Sequence, residues 1–489
     1  MWLSSGKKHG SHRLTAGSRW LVTAMVAAML LLTGCSGTMF RSYPEKINPI
    51  IAGLNTGAAI NTDKLLLNEC NGNDRILYNM ERGRLAHILG NIDNSLRDFN
   101  VSMESIRIND TRSIFSAVAA AENIGAVLFN DNAISYDAEG YERVLLHHYQ
   151  ALNFLAKKDL EGAGVEVRRA NHEQEEALRR FESEVEAAQE EADEKHLGRK
   201  SQSVVSNSYA QMDEVAGKVK NSFQNAYTFY ISGFIYELLD QPNDAYIDYK
   251  RALEIYPGNY FIQQDVIRLA TALNMAEDLV DLQTRFGNTP SEGKPEAGTD
   301  GELLLLFEDG LTPQKQEVKI ALPFREAGLV TIAFPIYNDR WTPQLPLSVS
   351  TDDKLLGSTE TICDIRALAV KALKEKAPII ATRQLIRALA KGASSHAAKK
   401  QFGDLGNFGM NVLNLATEKA DLRSWLTLPA NAQVLRVPLP AGQHRIVARL
   451  AQEGLTTDVD IFPRGRTLLR IVRIGNHFYS SSTSFPVYQ

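Results

Sequence analysis

The chain has 489 residues, 44% of them hydrophobic and 23% charged, with a formal net charge of −5. That length exceeds a single hydrophobic core and allows two to four domains, and the composition is that of an ordinary globular protein. The mild acidity argues against a nucleic-acid binder, which would carry a basic domain or stripe.

The N-terminus is more informative. Lys7, Lys8, Arg13 and Arg19 precede an apolar run from Trp20 to Leu32, the basic and apolar regions of a secretory signal spanning residues 1–34. The run falls short of the roughly 20 residues that a transmembrane helix needs. Leu32-Thr33-Gly34-Cys35 resembles the bacterial lipobox, which implies that Cys35 is acylated and becomes the mature first residue. The alternative is a plain signal peptide followed by a chance cysteine. Several acyl chains on one residue would hold the protein on a bilayer. By the same resemblance, Ser36 in place of Asp implies the outer membrane, with the protein facing the periplasm. Removing the four basic residues before Cys35 takes the formal charge from −5 to −9. Two cysteines then remain, Cys70 and Cys363. An oxidising periplasm permits a disulfide between them; two separately buried thiols are the other reading.

Residues 35–62 carry Gly, Pro and Ser with only short apolar groups and read as a lipidated tether with room for one docked segment. Helical patterning spans 63–285 and is clearest from Asn225 to Asn259. There Phe229, Gly233 and Tyr236 fall on one helix, Ala245, Tyr249 and Ala252 on the next, and Pro257 closes the unit. Large aromatics alternate with small residues, so two helices can cross closely. This order and spacing resemble the tetratricopeptide repeat, with an aromatic in place of its first Trp and Ser232 where Leu is usual. Two stretches echo it. Gly83 is followed by Ser95, Phe99 and Ser102, and Ala151 by Ala163, Val167 and Ala170. Gly83 and Ala151 lie 68 residues apart, twice the roughly 34-residue period of the class. Between them the stretch at about 110–143, an alanine-rich helix (Ser113 to Leu128) and then a turn-rich loop, keeps the period without the signature. Residues 171–200 are Glu-rich, with a thin apolar stripe at Leu178, Phe181, Val185 and Ala188. They read as a solvated helix extension, or alternatively as a coiled-coil arm.

A Gly/Pro-rich linker, 286–301, separates this region from one of different periodicity, 302–489. Short strand-like runs follow at Leu303–Phe307, Val318–Leu322, Leu329–Ile336, Leu345–Ser350, Val434–Leu439, Arg445–Leu450, Thr457–Phe462 and Thr467–Ile474. They suggest an antiparallel β-sandwich-like domain, interrupted by a helical insertion at about 362–420. The expected class is multidomain α + β: an N-terminal tetratricopeptide-like superhelix, then this β-rich domain. Val437 to Leu450 is similar to a hairpin of small β-sandwich modules on bacterial surface proteins.

Motifs of catalysis are weak. Gly287 and Gly293-Lys294 fail as a phosphate loop, because Pro295 stands where a magnesium-binding hydroxyl is required. His147 and His148 are adjacent, so they point in different directions on a helix; a shared metal prefers four-residue spacing. His147 is expected to face the core and His148 the neighbouring face. Glu308 and Asp309 follow a strand and read as turn residues. No catalytic residue, metal ligand or cofactor is assigned. Gly403, Gly406 and Gly409 lie at three-residue spacing and permit close helix packing.

The likeness to the repeat class implies a concave groove lined by the first helix of each hairpin. Carried over by position, its lining is Met80, Arg84, His87, His148, Leu152, Tyr227, Tyr230 and Phe234. Aromatic anchors of this kind suit an envelope protein or peptide; burial under a following element is the competing reading. With YDAEGYERVLLHHYQALNFL, LEGAGVEVRRA and DLRSWLTLPANAQVLRVPLPAGQHRI, the chain resembles an uncharacterised family of bacterial repeat-containing lipoproteins, a resemblance that implies architecture and no activity. The leading expectation is a non-enzymatic, outer-membrane lipoprotein acting as a periplasmic scaffold through its groove. A regulator of a peptidoglycan synthase and an envelope hydrolase are the alternatives.

Overall fold

Small residues at fixed steps decide how the helices of the first half cross. In the computed structural model the described residues are 41–115, 134–194, 207–287 and 300–487, apart from 62–65, 68, 325–327, 339, 341, 352–353 and 393–417. Cys35, Gly293, Lys294 and the glycines at 403, 406 and 409 lie outside them, as does most of Ser113 to Leu128. After α1 (Tyr43–Asn55) the helices pair as α2 (Arg75–Ile88) with α3 (Ile92–Phe115), and α4 (Gly140–Ala156) with α5 (Leu160–Glu194). Two more hairpins follow: α6 (Ala226–Leu238) with α7 (Pro242–Ile255), and α8 (Tyr260–Ala272) with α9 (Ala276–Phe286). A Cβ on Gly83 would lie 2.4 Å from the Phe99 ring, and one on Gly233 would lie 2.7 Å from the Tyr249 ring. In both hairpins the aromatic comes sixteen residues after the glycine, so helix crossing follows directly from the small/aromatic spacing.

The four hairpins share one turn. Each connection has three residues, and its middle residue is left-handed: Gly90 at φ 78°, Lys158 at 60°, Asp240 at 58° and Asn274 at 57°. The next amide reaches back to close the first helix in each case: Asn91 to Ala86 O at 2.8 Å, Asp159 to Phe154 O at 2.9 Å, Gln241 to Tyr236 O at 2.8 Å and Met275 to Ala270 O at 2.9 Å. This is the bond that satisfies an otherwise orphaned carbonyl at a helix C-terminus. The turns at Gly90 and Lys158 are 68 residues apart and those at Asp240 and Asn274 are 34 apart. Side chains of Asn225 and Asn259 cap α6 and α8, accepting from the amides of Thr228 (3.3 Å) and Ile262 (3.0 Å).

The second half forms a five-stranded sheet, ordered β11-β10-β1-β7-β6, and a four-stranded sheet, ordered β5-β4-β8-β9. The strands are β1 (Asp300–Asp309), β4 (Ser348–Thr351), β5 (Leu355–Ser358), β6 (Glu360–Asp364), β7 (Asn431–Pro440), β8 (Gly442–Leu450), β9 (Glu453–Ile461), β10 (Arg466–Ile474) and β11 (His477–Phe485). β2 (Gln316–Phe324) and β3 (Gly328–Ile336) make a separate hairpin. Between β6 and β7 come α10 (Ile365–Glu375) and α11 (377–392), the expected insertion. β1 carries the run LLLLF at 303–307, buried on both faces, the pattern of a strand covered on two sides.

Three expectations change. β1 and β10 run parallel, so the sheet is mixed rather than antiparallel. The docked segment allowed within the tether is a full helix, α1, and takes up much of it; its Ile47, Ile50 and Leu54 are buried, and Tyr479 of β11 donates to Leu54 O at 2.9 Å. A single apolar core runs from Tyr43 to Phe485, so the helices and the sheet share one interior. The chain is a mixed α + β structure in which hairpins cover one face of a sheet. No helix of the described residues is long and apolar enough to cross a membrane.

Candidate functional site at the helix–sheet interface

Side chains alternate across a strand, so the even-numbered residues of β1 share a face: Glu302, Leu304, Leu306 and Glu308. In register beside them are Pro438, Arg436, Val434 and Ala432 of β7 and Arg466, Leu468, Arg470 and Val472 of β10. This face meets the first helices of the hairpins. On the other face, a Cβ on Gly357 of β5 would lie 3.4 Å from Leu435, so the second sheet approaches there. The side of the stack formed by these first helices is therefore covered by the chain's own sheet.

All eight residues assigned to an open groove are buried: Met80, Arg84, His87, His148, Leu152, Tyr227, Tyr230 and Phe234. Arg84 Nη2 lies 2.6 Å from Glu308 Oε2, and the Tyr227 hydroxyl donates to Glu308 Oε1 at 3.0 Å. Tyr230 donates to Asp265 at 2.6 Å, and the Arg436 guanidinium sits 5.7 Å from the Phe234 ring centre. The aromatics are dry because a sheet covers them, and the surface expected to receive a partner is an internal interface. Glu308 is not a turn residue; it lies inside β1 and is fully buried. The histidines also exchange roles. His148 is the buried one, its ring 4.2 Å from that of Tyr227. His147 is partly exposed and pairs with Glu166 at 2.7 Å. Cys70 and Cys363 are free and buried, so the disulfide option is withdrawn in favour of two thiols.

Two polar clusters hold the interface. At the α6–α8 end, Arg436 Nη1 contacts Glu237 at 3.0 Å and Asp265 at 2.9 Å, and its Nε and Nη2 grip Glu302 at 2.8 and 2.7 Å. Arg268 takes both oxygens of Glu237, at 2.9 and 2.8 Å, and Arg466 adds a contact at 3.0 Å. Three guanidiniums meet three carboxylates. Burial alone would raise the Glu237 carboxyl, but Arg436, Arg268 and Arg466 hold it far below the usual range.

The other cluster lies under α2 and α4. Arg84 stacks 4.1 Å from the Tyr149 ring centre; Arg470 of β10 donates to His87 O at 3.2 Å. His87 and His148 flank the same Tyr149 ring, at 5.5 and 5.1 Å. Trp425 packs edge-on to Tyr149 at 6.0 Å. Burial opposes ionisation of Glu308, yet Arg84 and Arg470 hold its carboxyl below its ordinary value. Burial pushes His148 down to about 3 and His87 well below its usual range, so both imidazoles are neutral near pH 7.

A third contact fixes the segment before β7. Glu81 accepts from the amides of Leu426 (2.7 Å) and Thr427 (3.2 Å) and from the Tyr43 hydroxyl (2.9 Å), while Glu142 accepts from the Trp425 amide at 2.8 Å. Burial raises the Glu81 carboxyl to about 7 despite these donors. Among the described residues, no group of three or more His, Cys, Asp or Glu is placed to hold a metal.

The in-strand charges Glu308, Arg436, Arg466 and Arg470 were the sequence signal for this interface. A charge inside an otherwise apolar strand demands a buried partner, and Arg84, Glu237 and Asp265 supply it from the helices. No protein-family model, curated protein or solved structure is significantly similar to this chain.

Proposed function

We propose that the chain is a non-enzymatic, lipid-anchored scaffold of the bacterial envelope, whose hairpins are tetratricopeptide-like repeats turned inward on the chain's own sheet. The repeat reading is supported by the shared three-residue turn, by the 34-residue and 68-residue offsets between turns, and by the Gly83–Phe99 and Gly233–Tyr249 crossings. With the concave side closed, an envelope protein is met on the outer side. One observation carries that placement. The second helix of every hairpin exposes an aliphatic side chain: Ile108 (36%), Val165 (37%), Ile247 (49%) and Val280 (66%). Scattered exposed aliphatics are ordinary; one on each successive outer helix is a repeated feature of a surface built to be contacted.

The anchor would be Cys35. Because α1 begins at Tyr43, the eight intervening steps span at most about 28 Å when fully extended. The N-terminal end of α1 would then sit close to the outer membrane, with the body in the periplasm. Palmitate labelling that disappears in Cys35→Ser tests the anchor. For the scaffold, a photocrosslinking residue at Ile247 or Val280 is expected to give a discrete intermolecular product in intact envelopes. One at Tyr227 should crosslink only within the chain. Intermolecular products from Tyr227 and none from the outer positions would sink the assignment.

A further inference from the structure

The cluster under α2 and α4 is not electrically balanced. Its buried ionised groups are Arg84, Arg470 and Glu308, two cations against one anion, and its two histidines are neutral. An uncompensated charge in a protein interior costs several kcal/mol or more. Donors here also have no protein acceptor: Arg84 Nη1, Arg470 Nε and the one N–H of neutral His148, neither of whose ring nitrogens has a partner; His87 already donates its Nδ1–H to Asn153 Oδ1 at 2.6 Å. Buried polar atoms are rarely left without a partner. These belong to residues gathered around one ring. Arg84, His87 and His148 all contact Tyr149, and Arg470 lies within electrostatic reach of Arg84, Glu308, Tyr149 and Tyr227. The α6–α8 cluster of the same interface, three guanidiniums with three carboxylates, carries no such surplus.

We propose that Arg84, Arg470 and His148 form a binding site for one small monovalent anion of chloride size. A single negative charge restores neutrality and accepts from guanidinium and imidazole N–H groups. The buried rings of Tyr149, Tyr227 and Trp425 pack around these residues, which favours a small monoatomic ion over a bulky oxyanion. The ion would act as part of the helix–sheet interface, stabilising the native state according to its concentration.

The test uses the full chain crystallised in sodium bromide, with data collected at the bromine edge. An anomalous peak within about 3.5 Å of both Arg84 and Arg470 is expected from hydrogen-bond reach to a halide. A cluster holding water alone, with no peak, overturns the proposal. In solution, Tm at constant ionic strength should rise saturably when gluconate is replaced by chloride. Arg470→Met removes the surplus charge and should abolish that rise. If the variant fails to fold, the anomalous map of the unaltered protein still decides. A chloride response that persists undiminished in a folded Arg470→Met protein would place the ion elsewhere and refute the site.

Discussion

The two polar clusters of the helix–sheet interface use the same residue types to different ends. Around Arg436, three arginines and three carboxylates satisfy one another, and the rim members Arg268, Arg466 and Glu302 keep some solvent contact. Around Arg84, every member is buried and the positive charge exceeds the negative. The first cluster is complete within the chain. The second depends on neutral histidines and on what else reaches it. A buried network is therefore judged by its charge sum as well as its contacts.

Breaking the balanced cluster should have the largest effect. Arg436→Ala takes from Glu237, Asp265 and Glu302 the guanidinium that touches all three, and about 5 kcal/mol of stability is expected to go, read from urea denaturation. Glu308→Gln attacks the other cluster by deepening its imbalance. A loss of about 3 kcal/mol is expected, and it should be smaller in a protein that also carries Arg470→Met. Additive losses in that double variant would show that the two residues do not share a field.

The histidines give a pH signature confined to the unbalanced cluster. His148 has a folded-state pKa of about 3, below the roughly 6.5 of an unfolded chain. Its neutral form is fully compatible with the fold above pH 6.5. As pH falls below that value the unfolded chain takes the proton first, and stability drops by about 1.4 kcal/mol per unit from this group. His148→Phe should reduce the slope between pH 6.5 and 4.5, with His87 supplying what remains; an unchanged slope would remove the residue from the account. The smallest contrast compares two hydroxyls. Tyr230→Phe deletes a bond to Asp265, which Arg436 and Arg268 also serve, and about 1 kcal/mol is expected. Tyr227→Phe removes a donor from the only carboxylate of its cluster and should cost somewhat more in the same melts.

The hairpins were legible in the sequence because their crossing is local. Gly83 with Phe99 and Gly233 with Tyr249 each specify a contact within one hairpin. The last hairpin, α8–α9, lacks such a pair and keeps only the period and the turn at Asn274. α1 was hidden by Pro44, Pro49 and Gly53, which read as tether. Pro44 falls in the first turn, where proline's missing N–H costs nothing. The eight groove residues were taken from the repeat pattern and all are buried, but what covers them is a property of strands more than 60 residues away. β1, β7 and β10 meet through a parallel pairing that no local pattern announces. The charges in those strands carried the missing information, and Glu308 in particular was misread because its neighbour Asp309 ends the strand. β5, β6 and β11 escaped notice, the first two being only four and five residues long.

The central claim is that the helical hairpins and the sheet form one structural unit through their shared interface. A protease site engineered between residues 288 and 299, cut to completion, tests it directly by gel filtration of the product. The two pieces should elute together as a single species of unchanged size and unfold in one cooperative transition. Separation into a free helical fragment and a free sheet fragment, each folded, would contradict the claim.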